Sequence, residues 1–203
     1  MRLYQRYIFP KLMAAGMRQE AMRRHRNRIP PLAGQRVLEI GIATGENIPF
    51  YSDKVEQLFG LEPTQALLDK AEERAVEAPF PVALIAASAE DIPLESNSID
   101  TVVSTWTLCS IPQLERAMQE MRRVLKPGGR LLFMEHGRAP DPKMARWQDR
   151  LTPVSRTLFG CRMNRTMDSL IDEAGFDILT LDKVYFEAPR LLAYHYIGQA
   201  TPR

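Results

Sequence analysis

A chain of 203 residues, 45% apolar and 26% charged, has the make-up of one globular domain with a substantial core and leaves little room for a second. It contains no run of about 18 apolar residues and no signal-peptide pattern, so a soluble or surface-attached protein is expected; Cys109 and Cys161, neither in a CxxC pair, imply no disulfide framework, no zinc site and a reducing cytoplasm. The formal charge of +2 hides an asymmetry, because residues 1–30 carry eight Arg or Lys against the single acid Glu20, while the remainder carries nineteen against twenty-four.

Residues 1–30 read as a basic amphipathic arm. Tyr4, Ile8 and Leu12 recur every four residues beside Leu3, Tyr7, Phe9 and Met13, with Pro10 separating two helices, and Arg18, Arg23, Arg24, Arg26 and Arg28 follow. Such an arm would serve as a lid over a site, lie on anionic lipid at the inner membrane surface, or be a plain solvated helix face. From residue 31 onward strands alternate with helices. "RVLEI" (36–40) is the first strand and "QLFGLE", ending at Glu62, the second; "PTQALLDKAEERA" then opens a helix with Pro63 and Thr64 and places Ala66, Leu67 and Ala71 at helical spacing. "PVALIAAS" is the third strand, and "IDTVVSTWT" the fourth, running into the helix "QLERAMQEMRRVL". "KPGG" stops that helix, and "RLLFMEH" is the fifth strand.

Residues 143–159 place Met144, Trp147, Leu151, Val154 and Leu158 three or four apart, a helical stripe that either lines an acceptor pocket or packs on the body. "FDILTLDKVYF" and "RLLAYHYIGQA" read as a terminal antiparallel hairpin. Apolar strands alternating with amphipathic helices predict an α/β, doubly wound, mostly parallel sheet, in which ligands bind beyond the carboxyl ends of the strands.

At the end of the first strand stands "LEIGIATGEN" (38–47). Glycines there let the backbone turn tightly and approach a ligand. A dinucleotide fold wants GxGxxG, and this stretch lacks the third glycine. Glu39, Gly41, Ala43 and Gly45 instead supply E/DxGxGxG with Ala43 in place of the middle glycine. This, with Glu62 after the second strand, "ASAEDIPLESNSID" after the third and "RVLKPGG" before the fifth, resembles the class I S-adenosylmethionine-dependent methyltransferases over residues 36–135. "RYIFPKLM", "ENIPFY", "STWTLCSIPQLERAMQEMRRVLKPGGRLLFMEHGRAPD" and "RWQDRLTPVSRTLFGCRMNR" extend the resemblance to the methyltransferase-like seven family, the alkyl thiol methyltransferases, and its bacterial relatives. That family's membrane-anchoring apolar segment has no counterpart in the sequence, so permanent membrane residence is not expected.

The resemblance implies a Rossmann-like seven-stranded sheet holding S-adenosylmethionine, released as S-adenosylhomocysteine. It assigns to the cofactor Glu39, Gly41, Ala43, Thr44, Gly45, Asn47, Glu62, Pro63, Ser88, Ala89, Glu90, Thr105 and Trp106. Glu62 would accept from the ribose hydroxyls; Ser88 stands where the family has an acid, leaving the adenine amino group to the backbone near Ala89 or to Glu90. Catalytic candidates are His136, as base or as hydrogen-bonded pocket wall, Glu135, and Trp106, which would shield the sulfonium or simply pack. Tyr4, Tyr7, Cys109, Arg138 and Trp147 are candidates for the acceptor, although a buried thiol is the commoner fate of a free cysteine. The acceptor expected is a small apolar or amphiphilic molecule, a thiol first, then a phospholipid amine or a ring carbon of a lipid quinone. The alternatives outside this class are a nicotinamide-dependent dehydrogenase and a non-catalytic nucleoside-binding membrane module. Nucleic acid is not expected as a partner, because the body without the arm is net acidic.

Overall fold

The computed structural model of the protein describes residues 20–203. The elements are α1 (Glu20–Arg26), β1 (Gln35–Ile40), β2 (Val55–Leu61), α2 (Gln65–Glu77), β3 (Val82–Ile85), β4 (Ile99–Thr105), α3 (Leu114–Val124), β5 (Leu125–His136), α4 (Pro142–Phe159), α5 (Met167–Glu173), β6 (Phe176–Tyr185) and β7 (Tyr194–Pro202), with short 3-10 turns at Pro30–Leu32 and Ile48–Phe50. Most of the expected arm, including Tyr4, Tyr7 and Pro10, lies outside the described residues. No helix among the described residues is long and apolar enough to cross a membrane.

The seven strands form one sheet in the order β3-β2-β1-β4-β5-β7-β6. β1 to β5 pair in parallel, and β7 runs antiparallel to both β5 and β6, which is the expected terminal hairpin. The chain order reverses at β1, between β2 and β4, so a crevice opens beyond the carboxyl end of β1. The central strands are apolar on both faces because helices cover both: in β4 every residue but Asp100 is buried. α3 turns Leu114, Ala117, Met118, Met121 and Val124 inward, one face at spacings of three and four.

Local differences from the sequence reading have physical causes. α2 buries Leu68 and Ala71 and leaves Ala66 exposed, because Leu67 is turned toward the crevice. The "KPGG" run does more than stop α3: Leu125 pairs with Ile99 and Arg130 with Thr101, so Lys126–Gly129 is a bulge inside β5, with Gly128 at a φ of +77°. β3 is shorter than expected and ends at Ile85. α4 is capped by Asp141, whose carboxylate accepts from the amides of Lys143 and Met144, and stopped by Gly160 at a φ of +73°. The residues it buries are Ala145 and Gln148, and of the apolar stripe Met144 packs against the core. The fully buried Gln148 carboxamide accepts from Ala139 N and donates to the carbonyls of Gly137 and Leu191, each at 2.9 Å. Trp147, Val154 and Leu158 consequently face outward, each about half exposed.

Candidate active site

The turn after β1 is built from left-handed backbone: Gly41, Ala43 and Gly45 have φ of +68°, +49° and +75°. An L side chain pays for that conformation, which is why glycine suits it and why Ala43 is strained by comparison. The turn is tied to β2 by the amides of Gly41 and Ile42, which both donate to Leu61 O, at 2.8 and 3.1 Å. A Cβ on Gly41 would lie 2.5 Å from the Thr107 side chain, so the first glycine also makes room for the loop after β4.

Beneath the turn, Glu39 is buried. Its carboxylate accepts from Asn47 Nδ2 and the Tyr51 hydroxyl, both at 2.8 Å, and Asn47 Nδ2 also donates to Thr105 Oγ1 at 2.9 Å. Arg26, at the end of α1, donates to Asn47 Oδ1 and stacks over Trp106 at 5.0 Å. Burial pushes Glu39 up to about 7, with the Tyr51 and Asn47 hydrogen bonds and the Arg26 charge opposing. Asn47 is thereby placed as a brace for the turn rather than on the crevice wall.

At the end of β2, Glu62 is buried and accepts from Thr64 N at 3.0 Å, setting the start of α2. Burial raises its pKa, and hydrogen bonds with the backbone of Thr64 and Ala43 resist that. After β3, Ser88 Oγ accepts from Glu90 N at 3.2 Å, and the Glu90 carboxylate accepts from Ser88 Oγ at 3.3 Å and from Gln113 N at 2.6 Å.

The ends of β4 and β5 hold the remaining candidates. Trp106 takes a φ of +51° and donates its indole N–H to His195 Nε2 at 2.9 Å. His195 Nδ1 lies 2.9 Å from Ala193 O, so the ring carries its proton on Nδ1 and accepts at Nε2; burial lowers its pKa to about 4 and keeps it neutral. Phe186 stacks on His195, and His25 on Phe186, joining α1 to the terminal hairpin. Glu135 is fully buried, accepts from Ser104 Oγ at 2.8 Å and Thr107 N at 3.0 Å, and is pushed up to about 8 chiefly by burial.

His136 lies with Nε2 3.2 Å from Cys161 Sγ, and its Nδ1 has no hydrogen-bond partner. Burial pulls the imidazole down, but the Cys109 sulfur beside it makes the net shift upward. The hydrogen bond with Cys161 holds Cys109 well below the usual thiol range despite burial, and the same bond pushes Cys161 up. Arg138 is paired with Asp149 at 2.6 Å near the surface.

A cavity of about 350 Å³ opens at the carboxyl ends of the strands. Of the residues expected at the cofactor, Glu39, Gly41, Ala43, Thr44, Glu62, Pro63, Ser88, Ala89, Thr105 and Trp106 line it, whereas Gly45, Asn47 and Glu90 do not. Cys109, Glu135 and His136 stand behind its wall, and Arg138 and Trp147 lie away from it. Arg26 of the expected basic arm and Thr107 after the fourth strand contribute as well, together with an apolar wall of Ile111, Pro112 and Phe159 that was not singled out from sequence. Within the arm, nothing in the sequence distinguishes Arg26 from the neighbouring arginines Arg23, Arg24 and Arg28.

The family model of a methyltransferase domain matches residues 38–133. The chain is 33% identical over 175 residues to human thiol S-methyltransferase TMT1A, covering 81% of this chain and 70% of that protein. It is 34% identical to rat thiol S-methyltransferase TMT1B over 72% of this chain but only 62% of the rat protein. A phosphatidylethanolamine N-methyltransferase of Cereibacter sphaeroides is 33% identical over 51% of each chain. Among solved structures, an S-adenosylmethionine-dependent methyltransferase of Thermotoga maritima, described as a possible histamine N-methyltransferase, superposes with a TM-score of 0.69 at 22% identity, covering 97% of this chain and 99% of that one.

Proposed function

Because the chain belongs to the class I S-adenosylmethionine-dependent methyltransferases, in the methyltransferase-like seven family of thiol methyltransferases, we propose that it S-methylates a small apolar or amphiphilic thiol. The observation that carries this reading is a single cavity joining two chemically distinct walls. Glu62 and the side-chain-poor turn 41–44 form one, and Ile111, Pro112 and Phe159 form the other.

The residues present suit the cofactor. Glu62 supplies a carboxylate to ribose hydroxyls, the turn brings bare backbone to the ligand, and Ser88 and Ala89 are small enough to admit a flat base. S-adenosylmethionine supplies an electrophilic methyl group on a sulfonium, and its transfer is an in-line displacement. The protein's part is alignment and exclusion of water. Trp106, held by His195 and Arg26, lines the cavity. A thiol with a pKa near 8.5 is already partly thiolate at neutral pH, so no general base need face it. This supports His136 as a structural neighbour rather than a proton acceptor, since it stands behind the cavity wall. Arg26 lines the cavity, which supports the reading of residues 1–30 as part of its closure, with lipid contact as the alternative role.

The test is titration with S-adenosylhomocysteine followed by turnover on an alkyl thiol, phosphatidylethanolamine vesicles and a quinol. Binding with methylation of the thiol is expected. Methylation of the vesicles or the quinol alone would replace the thiol reading, and absence of binding would overturn the site.

A further inference from the structure

Cys109, His136 and Cys161 come from the loop after β4, the end of β5 and the residue after the Gly160 stop of α4, and their ligand atoms all lie within 4.8 Å of one another. We propose that these three side chains form a binding site for one thiophilic divalent cation, zinc by preference, with two thiolates and one imidazole as ligands.

Tetrahedral zinc, with Zn–S about 2.3 Å and Zn–N about 2.0–2.1 Å, sets its ligand atoms about 3.6–3.8 Å apart, so at most about 1 Å of closure is needed. His136 Nε2 and Cys161 Sγ are already 3.2 Å apart. The donor set is soft, as zinc and similar ions require, and two thiolates neutralise the dication, leaving no net charge to bury. Binding displaces to solvent whatever protons the three ligand atoms carry and oxidises nothing. Three protein ligands leave a fourth position for water, the arrangement of an open rather than a closed zinc site.

The surrounding chain fixes these ligands. Arg162 N donates to Cys109 O at 2.9 Å, and the Arg165 guanidinium holds the carbonyls of Leu108 and Ile111, so the two cysteine-bearing loops are bracketed on both sides. Arg138 N in turn donates to Arg165 O at 2.8 Å, securing the bracket to the segment after His136. Cys109 and His136 are buried and Cys161 is partly exposed, which gives an ion a path of entry. The proposal does not rest on the thiol as methyl acceptor and stands or falls separately from it.

The full chain, untagged and reduced under anaerobic conditions, is loaded with Zn(II) or Co(II), desalted, and analysed for metal per chain by mass spectrometry. Thiolate-to-cobalt charge transfer and tetrahedral d–d bands are recorded on the same samples. About one equivalent, a thiolate–cobalt band, and protection of both cysteines from alkylation by bound zinc are expected. Cys161→Ser and His136→Gln should each weaken retention at least about tenfold, while Cys161→Ser still binds S-adenosylhomocysteine, which confirms its fold. Wild-type protein that retains no metal, retention unchanged in both variants, a cobalt spectrum without thiolate character, or formation of a Cys109–Cys161 disulfide in its place would each overturn the site.

Discussion

Replacing Glu62 tests the cofactor end of the cavity most directly. The carboxylate is buried, accepts from Thr64 N at 3.0 Å and faces the cavity. Hydrogen bonds to a charged acceptor contribute about 1.5–3 kcal/mol, so Glu62→Ala should weaken S-adenosylhomocysteine binding about 10- to 150-fold. Glu62→Gln keeps the shape and an acceptor oxygen but loses the charge. Charge-assisted bonds are roughly twice as strong as neutral ones, so its loss should be about half that of Ala in free energy. The two variants also separate binding from folding. Ala deprives Thr64 N of its acceptor at the start of α2 and should lower stability by about 1 kcal/mol, whereas Gln should not. Burial raises the Glu62 pKa, so the carboxylate form, which is the acceptor, is lost on acidification at a higher pH than for a free side chain. Affinity should therefore fall as pH drops in the wild type and stay flat in Glu62→Gln. Calorimetric titration at several pH values, with thermal melts of the same samples, reads all three effects. An Ala variant that binds within about twofold of wild type, or a pH profile unchanged in Gln, would refute the assignment of Glu62 to the ribose.

Four further outcomes are expected. Gly41→Ala puts a Cβ 2.5 Å from the Thr107 side chain at a φ of +68° and should cost about 1–3 kcal/mol in urea melts; Thr107→Ala in the same chain should recover the overlap part and leave the backbone strain. Ala43→Gly relieves a left-handed alanine at +49° and should stabilise the protein by up to about 1 kcal/mol in urea melts, and no gain there would leave the strain unsupported. Folded Glu39 holds its proton up to about 7 whereas an ordinary carboxyl releases it near 4.5; the folded state thus binds more protons in that window, and stability falls as pH rises through it. The wild type minus Glu39→Gln difference should therefore slope downward by on the order of 1.4 kcal/mol per pH unit between those values, and a flat difference would contradict the burial of the group. His195→Ala leaves the buried-side Trp106 N–H without its acceptor and should cost about 1–3 kcal/mol, detected as a lower melting temperature and as a change in Trp106 fluorescence.

The parts of the fold that follow from local pattern were legible in the sequence: strands 36–40 and 99–105, the α3 face from Leu114 to Val124, the terminal hairpin, and the turn Glu39–Gly45. Each depends on residues a few positions apart. The apolar spacing in α4 correctly marked a helix, yet periodicity reports that an apolar face exists and not whether another element covers it. The docking of α4 was decided by Gln148, a polar residue that finds three backbone partners only after Gly137, Ala139 and Leu191 have been brought to it. Trp106 and His195, Arg26 and Asn47, and His136 and Cys161 are likewise paired across the chain by the closing of the sheet. Spacing rules for metal ligands search for neighbours in sequence, and the Cys109–His136–Cys161 group has none.

This division coincides with a division of labour in the site. The cavity-lining residues from Glu39 to Ala89, which the proposed function gives to the cofactor, fall within the stretch 38–133 that the methyltransferase family model matches. Arg26, Phe159 and Gly160, which complete the cavity, and His195, which fixes Trp106, all fall outside it. A shared cofactor demands a shared turn and a shared carboxylate, and those are written as a contiguous motif. On the proposed function the acceptor meets Ile111 and Pro112 inside that stretch, but also the end of α1, the end of α4 and, through Trp106, the terminal hairpin outside it. Relatives named for thiols and for a phospholipid amine both match this chain, and exchange of these outer elements, not of the glycine turn, is the change that should alter which molecule is methylated.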